Sequence, residues 1–217
     1  MIKAVVFDMD GVLYDTEAIS LRNWKYYAED FKIDDIEKAH VGCIGLNHND
    51  GITWLKKCYG EDFDGEGFLS TCAARMKKII KEEGLPLKKG VREILRYLKD
   101  CNIPVAICSS TDVAIIHDHL VQTDLEEYFE KIVGGNMVTH SKPLPDIYLK
   151  ACETLGIEPE YCIGVEDSPN GLRSCSDAGL QTVMVPDLVP VNDELAKLCV
   201  TVQPSLVDLI DYIDKNK

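Results

Sequence analysis

Asp8 and Asp10 stand two residues apart at the end of the apolar run Ala4–Phe7, with Gly11 directly after them. If extended geometry persists, their side chains project to one side, and the glycine lets the backbone turn away. Two acids so placed can form a functional pair, although Asp-x-Asp-Gly alone also fits a plain acidic turn. A second acidic pair, Glu166-Asp167, follows the run Tyr161–Val165, with Ser168-Pro169 reading as a helix cap and first turn. Their oxygens suit a hard cation such as magnesium; a solvated loop is the plainer alternative. Ser109, Ser110 and Thr111 follow the run Ile103–Cys108 and precede a helix expected near Asp112. That position suits anion binding and equally well an ordinary helix cap. Lys142, in Ser141-Lys142-Pro143, is biased to extended backbone by the proline; it can neutralise a phosphoryl oxygen or simply face solvent.

Gathered in one crevice, the four carboxylates would repel one another by roughly 4 kcal/mol per close pair at about 4 Å and an effective dielectric near 20. Charge alone therefore calls for a divalent cation together with Lys142. The chain as a whole is acidic, with 23 Lys and Arg against 37 Asp and Glu and a formal net charge of −14. Without a basic stripe it is not expected to bind nucleic acid. Its 9 cysteines form no Cys-x-x-Cys pair and read as reduced, mostly buried thiols. No apolar run approaches signal-peptide or membrane length, so the expectation is a cytoplasmic protein with no membrane partner, monomeric or weakly self-associating.

The elements that must position these residues follow from the apolar pattern. Ala4–Phe7, Ile103–Cys108, Lys131–Val133, Tyr161–Val165 and Thr182–Val185 are short and rich in β-branched residues, as strands buried on both faces are. Between them Val91, Ile94, Leu95 and Leu98, and then Val113, Ile116 and Leu120, fall at helical spacing. This predicts an α/β fold, a Rossmann-like doubly wound parallel sheet. Residues 16–85 break the rhythm: Leu21-Trp24-Ala28 and Phe68-Cys72-Arg75-Ile79 are helical patterns, and no buried strand is evident. The expected division is a core of residues 1–15 and 86–217 with an all-helical insertion, 16–85, hinged over the carboxyl edge of the first strand, where open α/β sheets bind ligands. Leu206, Leu209, Ile210 and Ile213 predict an amphipathic closing helix, and His117 and His119, two apart on a helix, should face different ways.

The ordered set Asp8-Met9-Asp10-Gly11-Val12-Leu13, Ser109, Lys142-Pro143 and Gly164-Val165-Glu166-Asp167-Ser168 with Gly171 resembles the haloacid dehalogenase superfamily. Within it, the resemblance is to the β-phosphoglucomutase-like branch, which carries a helical cap after the first strand. It spans the chain and implies an Mg2+-dependent phosphotransferase. Asp8 would be the nucleophile, forming an aspartyl-phosphate, and Asp10 the acid and base. Asp8, the Asp10 carbonyl and Asp167 would hold magnesium, with Glu166 beside it or joined through water. Ser109, with Ser110 next to it, and Lys142 would hold the phosphoryl group. Asp10 and the second acidic pair argue for phosphate over halide, since a dehalogenase needs no metal.

The branch contains phosphatases and sugar phosphomutases. The mutases present a cap-loop arginine to a second phosphate and a histidine from the first cap helix; the comparable loop here, Val41–His48, has no arginine, and Ser20 stands where the histidine is expected. Thr16-Glu17 after Asp15 resembles the phosphatase pattern. The resemblance therefore implies hydrolysis of a small phosphorylated metabolite, with a β-phosphoglucomutase-type activity as the alternative and an inactive binding or regulatory protein as the third. Substrate choice is expected to lie with cap residues such as Trp24, Asn47, His48 and Arg75.

Overall fold

The computed structural model describes residues 1–217. The chain opens with β1 (Ala4–Phe7) and then passes through α1 (Thr16–Tyr27), α2 (Ile36–Cys43), α3 (His48–Tyr59) and α4 (Gly65–Glu83). The rest alternates: α5 (Val91–Asp100), β2 (Val105–Ser109), α6 (Val113–Gln122), β3 (Lys131–Gly134), α7 (Asp146–Leu155), β4 (Cys162–Glu166), α8 (Pro169–Asp177), β5 (Gln181–Met184), α9 (Asp193–Ala196), β6 (Thr201–Val202) and α10 (Leu206–Asn216). The six strands form one parallel sheet in the order β3-β2-β1-β4-β5-β6. This is the doubly wound α/β sheet that the apolar runs predict. No helix is long and apolar enough to cross a membrane.

Alternation along the strands sorts the core into two unlike faces. Val5, Phe7, Val105, Ile107, Ile163, Val165 and Val183 pack with α5, α6 and α10, and there Leu206, Leu209 and Ile213 are buried as their spacing predicts. The opposite face is made of small residues, Ala4, Ala106, Cys108 and Cys162, against α7 and α8. At Gly164 a Cβ would meet Cys175 Sγ at 2.1 Å, so these two helices lie close on the sheet. All nine cysteines are free. His117 and His119 do face different ways: His117 meets Glu126 at 2.9 Å, and the His119 ring stands edge-on to Tyr14.

Strand ends differ from the apolar runs for reasons of hydrogen bonding. Ile103 donates its N–H to the Leu98 carbonyl at the end of α5, and Pro104 has no N–H, so β2 begins at Val105 and extends to Ser109. Tyr161 belongs to a 3-10 turn, and β4 runs from Cys162 to Glu166. β6 has only two half-buried residues, too few to leave a pattern in sequence.

The helices α1–α4 build a small core of their own around Trp24, Leu55, Phe68 and Cys72. Phe68 is its hub, with Trp24, Phe31 and Phe63 rings at 4.9, 5.2 and 6.3 Å. The two connections to the sheet run side by side. Tyr14 bridges Leu87, and the Asp15 N–H donates to the Pro86 carbonyl at 2.9 Å. Lys88 braces them, 2.5 Å from Asp187 and 3.6 Å from Asp15. Because that small core hangs on one aromatic hub, Phe68→Ala is expected to cost about 3–5 kcal/mol in urea unfolding. Limited proteolysis of the variant should cut first between residues 16 and 83; first cuts in the sheet would contradict a separate helical core.

Candidate active site

The strand order reverses at β1, which has β2 on one side and β4 on the other, so a crevice opens beyond their carboxyl ends. Asp8 caps β1, its N–H donating to the Val165 carbonyl at 3.0 Å; Ser109 ends β2 and Glu166 ends β4. After Phe7 the chain does not stay extended. Leu13 and Tyr14 both donate to the Met9 carbonyl, so Asp10 lies in a turn, and its carboxylate accepts from Thr16 Oγ1 at 2.5 Å. The same-side projection of Asp8 and Asp10 is therefore replaced by a turn that brings both to one cavity of about 130 Å³, which Ser109, Ser110, Thr111 and Lys142 also line. Gly11 makes this turn possible: its φ is +78°, and a Cβ would sit 2.3 Å from Asp167 Oδ2.

Beneath the cavity lies a buried line of charge. Lys142, 1% exposed, reaches Asp8 Oδ1 at 2.7 Å and Glu166 Oε1 at 2.6 Å. The Tyr148 hydroxyl donates to the same Glu166 oxygen at 2.7 Å, while Glu166 Oε2 accepts from Ser168 Oγ and from the N–H groups of Asp167 and Ser168. Glu166, expected beside a metal, thus has both oxygens engaged by protein donors and acts as the anchor of the lysine. Asp167 is the opposite case: 1% exposed, with neither carboxylate oxygen bonded.

Asp8, Glu166 and Asp167 offer oxygens within 4.8 Å of one another, and Lys142 is the one ammonium among them. If all were ionised the cluster would carry two excess negative charges. Burial, and after it the charge of Glu166, pushes the Asp8 carboxyl up to about 7 despite the lysine. Burial and then Glu166 and Asp8 push Asp167 well above the carboxylate range. The lysine is held well above its usual value, the attraction of Asp8 and Glu166 outweighing the cost of burial. An unbonded, buried carboxylate in an acidic cluster short of positive charge fits a divalent hard cation, with Asp8 and Asp167 as carboxylate donors.

Ser109 is buried, and its Oγ accepts from the Thr111 N–H at 3.1 Å. Ser110 is turned to another purpose, its Oγ donating to the Gly45 carbonyl at 2.7 Å. Asn170 Nδ2 donates to the Ile44 carbonyl at 3.0 Å, and Ser141 Oγ donates to Asp50. The loop after α2 is thereby fastened to the loop after β2 and to the start of α8, and the first turn of α3 to the Ser141 loop. Gly45, at φ +80°, lies so close that a Cβ would be 2.9 Å from Ser168 Oγ.

Of the cap residues expected to read substrate, only Trp24 lines the cavity. Asn47 caps α3, its side chain accepting from the Asp50 N–H. His48 is half exposed, 3.0 Å from Glu66, and with Asn47 it lines an adjoining cleft of about 490 Å³ that also carries Ser20, Trp24, Ser110 and Thr111. Arg75 stacks on Tyr26 at 3.9 Å and reaches Asn23 Oδ1 at 3.4 Å. In their place the structure brings Glu17, Ser20 and His40 to the wall. Nothing in the spacing of His40 or Tyr148 signals these positions, because each acts on a residue distant in sequence.

A profile of the haloacid dehalogenase-like hydrolase family matches residues 5–185. The chain belongs to this family. The phosphorylated carbohydrates phosphatase of Thermotoga maritima is 33% identical to this hydrolase over 181 residues, 83% of each chain. Hexitol phosphatase B of Escherichia coli is 27% identical, covering 96% of this chain and 94% of its own. Among solved structures, β-phosphoglucomutase of Clostridium difficile superposes on this haloacid dehalogenase-like hydrolase with a TM-score of 0.82, covering 99% of this chain and 96% of its own, at 24% identity, which shows a shared fold.

The raised carboxyl of Asp8 has a consequence for stability. Without metal the folded state binds that proton more tightly than the unfolded chain, so its contribution is most favourable below pH ~4. It is lost as pH rises towards about 7. The loss should approach about 1.4 kcal/mol per pH unit for one such group. Thermal melts in EDTA should therefore fall from pH 5 to pH 7.5 more steeply for the native chain than for Asp8→Asn. Magnesium should raise the melting temperature more at pH 7.5 than at pH 5; an equal rise at both would contradict the assignment.

Proposed function

We propose that the chain is a magnesium-dependent phosphatase that hydrolyses a small phosphate monoester, a sugar phosphate or similar metabolite, through an aspartyl-phosphate on Asp8. The observation that carries this reading is the buried contact of Lys142 with Asp8 and Glu166, set beside the unbonded Asp167 at the carboxyl edge of the sheet. The phosphatases among the relatives support the same reaction class.

Lys142 engages Oδ1 of Asp8 and leaves Oδ2 without a protein donor. In the first step an Asp8 oxygen forms a bond to phosphorus, the ester P–O bond breaks, and Asp10, held by Thr16, gives its proton to the leaving oxygen. In the second, water attacks phosphorus while the Asp10 carboxylate takes its proton, and the Asp8–phosphorus bond breaks to release phosphate. Ser109 and Lys142, which line the cavity, hold the equatorial oxygens as charge develops on them. Magnesium, held by Asp8, Asp167 and the Asp10 carbonyl, would neutralise negative charge between nucleophile and phosphoryl group. The helices α1–α4 act as a cap, since their loop at Ile44-Gly45-Leu46 covers the cavity.

A mutase would need a cation on the cap for a second phosphate, and the cap residues that line the cavity are Glu17, Ser20, Trp24, His40, Cys43, Ile44, Gly45 and Leu46. Hydrolysis is therefore favoured. Asp8→Asn should lower magnesium-dependent phosphate release from p-nitrophenyl phosphate by at least about 10³-fold while the protein stays folded. EDTA should abolish release and magnesium restore it. Interconversion of β-glucose 1-phosphate and glucose 6-phosphate faster than phosphate release would favour the mutase instead.

A further inference from the structure

The cavity that holds Asp8 also carries on its wall a polar cluster that the hydrolytic steps leave unused. Glu17 and Ser20 come from α1 and His40 from α2. His40 is 2% exposed, with its ring edge-on to Trp24 at 4.9 Å. Its Nε2 lies 2.9 Å from Ser20 Oγ and 3.5 Å from Glu17 Oε2, and its Nδ1 is buried with no partner. Burial brings the imidazole down to about 4, so the ring is neutral at physiological pH. The Glu17 carboxyl is pushed well above its usual range by burial, and next by the charges of Asp10, Asp187 and Asp8.

Whichever form Glu17 takes, this wall is neutral or negative. Lys142 is the only Lys or Arg lining the cavity, and it is already shared between Asp8 and Glu166. A second phosphate or a carboxylate on the substrate would find no cation there. Polar groups buried in a wall gain most from a ligand that hydrogen-bonds to them, and a hydroxyl, which both donates and accepts, fits either form of the acid.

We propose that Glu17, set beside a His40 ring that is itself fixed by Ser20, is the specificity-determining residue of this site. It reads a hydroxyl on an uncharged, polyhydroxylated leaving group and disfavours monoesters that carry a second anion. This rests on the phosphatase reading above. His40 is a positioning residue, acting through Glu17.

The test compares kcat and KM of the purified full chain with magnesium on glucose 6-phosphate, glucitol 6-phosphate, p-nitrophenyl phosphate, glucose 1,6-bisphosphate and 2-phosphoglycolate. The native protein is expected to favour the first two over the last two. Glu17→Ala should lose on the order of 10- to 100-fold in kcat/KM on the hydroxylated monophosphates, mainly through KM, and several-fold less on p-nitrophenyl phosphate. Glu17→Gln, nearly isosteric, should retain more than the alanine variant and carries the comparison if that variant does not fold. His40→Ala should shift selectivity in the same direction and add little to Glu17→Ala in the double variant. Equal losses on all esters, or a native preference for the bisphosphate or phosphoglycolate, would overturn the assignment and leave the hydrolase standing. A folded native protein inert on every ester would overturn the hydrolase itself.

Discussion

One buried ammonium organises this molecule. Lys142 sits in a site where an unpaired charge would be intolerable, and it is held by carboxylates from two neighbouring strands. Removing one partner of such a pair leaves a stranded charge, typically at a cost of about 3–5 kcal/mol. The surroundings are accordingly built to keep Glu166 in place. The first turn of α8 wraps it so closely that a Cβ at Gly171 would fall 2.0 Å from its carboxyl carbon. Ser168 both caps that helix and donates to Glu166. Asp8 is left as the partner with oxygen to spare, as its proposed role of nucleophile requires.

The unequal faces of the sheet serve the same end. Bulky residues on one side make a thick core with α5, α6 and α10. On the other, Ala4, Ala106 and Gly164 let α7 approach until the Tyr148 hydroxyl meets Glu166. A larger side chain at Gly164 would press on both α8 and the Tyr148 ring, 2.1 and 3.4 Å away. Packing far from the cavity thus sets the position of the lysine within it.

Much of this was legible in the sequence because it rests on local signals. Short buried strands leave uniform apolar runs, and Asp8, Ser109, Glu166 and Asp167 are simply the residues where those runs stop. Residues chosen by long-range neighbours were not legible. Tyr148 is one of four residues on the buried stripe of α7 until the fold sets it against Glu166. His40 looks like part of any short helix until α1 supplies Ser20 and Glu17. Arg75 was singled out by type alone, and aromatic stacking on Tyr26 holds it away from the cavity, whereas Asn47 and His48 line the cleft beside it. The hydroxyl of Thr16 that holds the Asp10 carboxylate is likewise set by the fold and not by spacing.

The paired connections at Tyr14 and Leu87 carry one more consequence. Whatever lies between them leaves and re-enters the sheet at a single point, so the strand order is indifferent to its length and shape. Lineages could then exchange the helices wholesale, retaining the reactive chemistry while acquiring a new clientele of metabolites. A catalyst arranged in this way can diversify by grafting, with the residues at the sheet edge untouched.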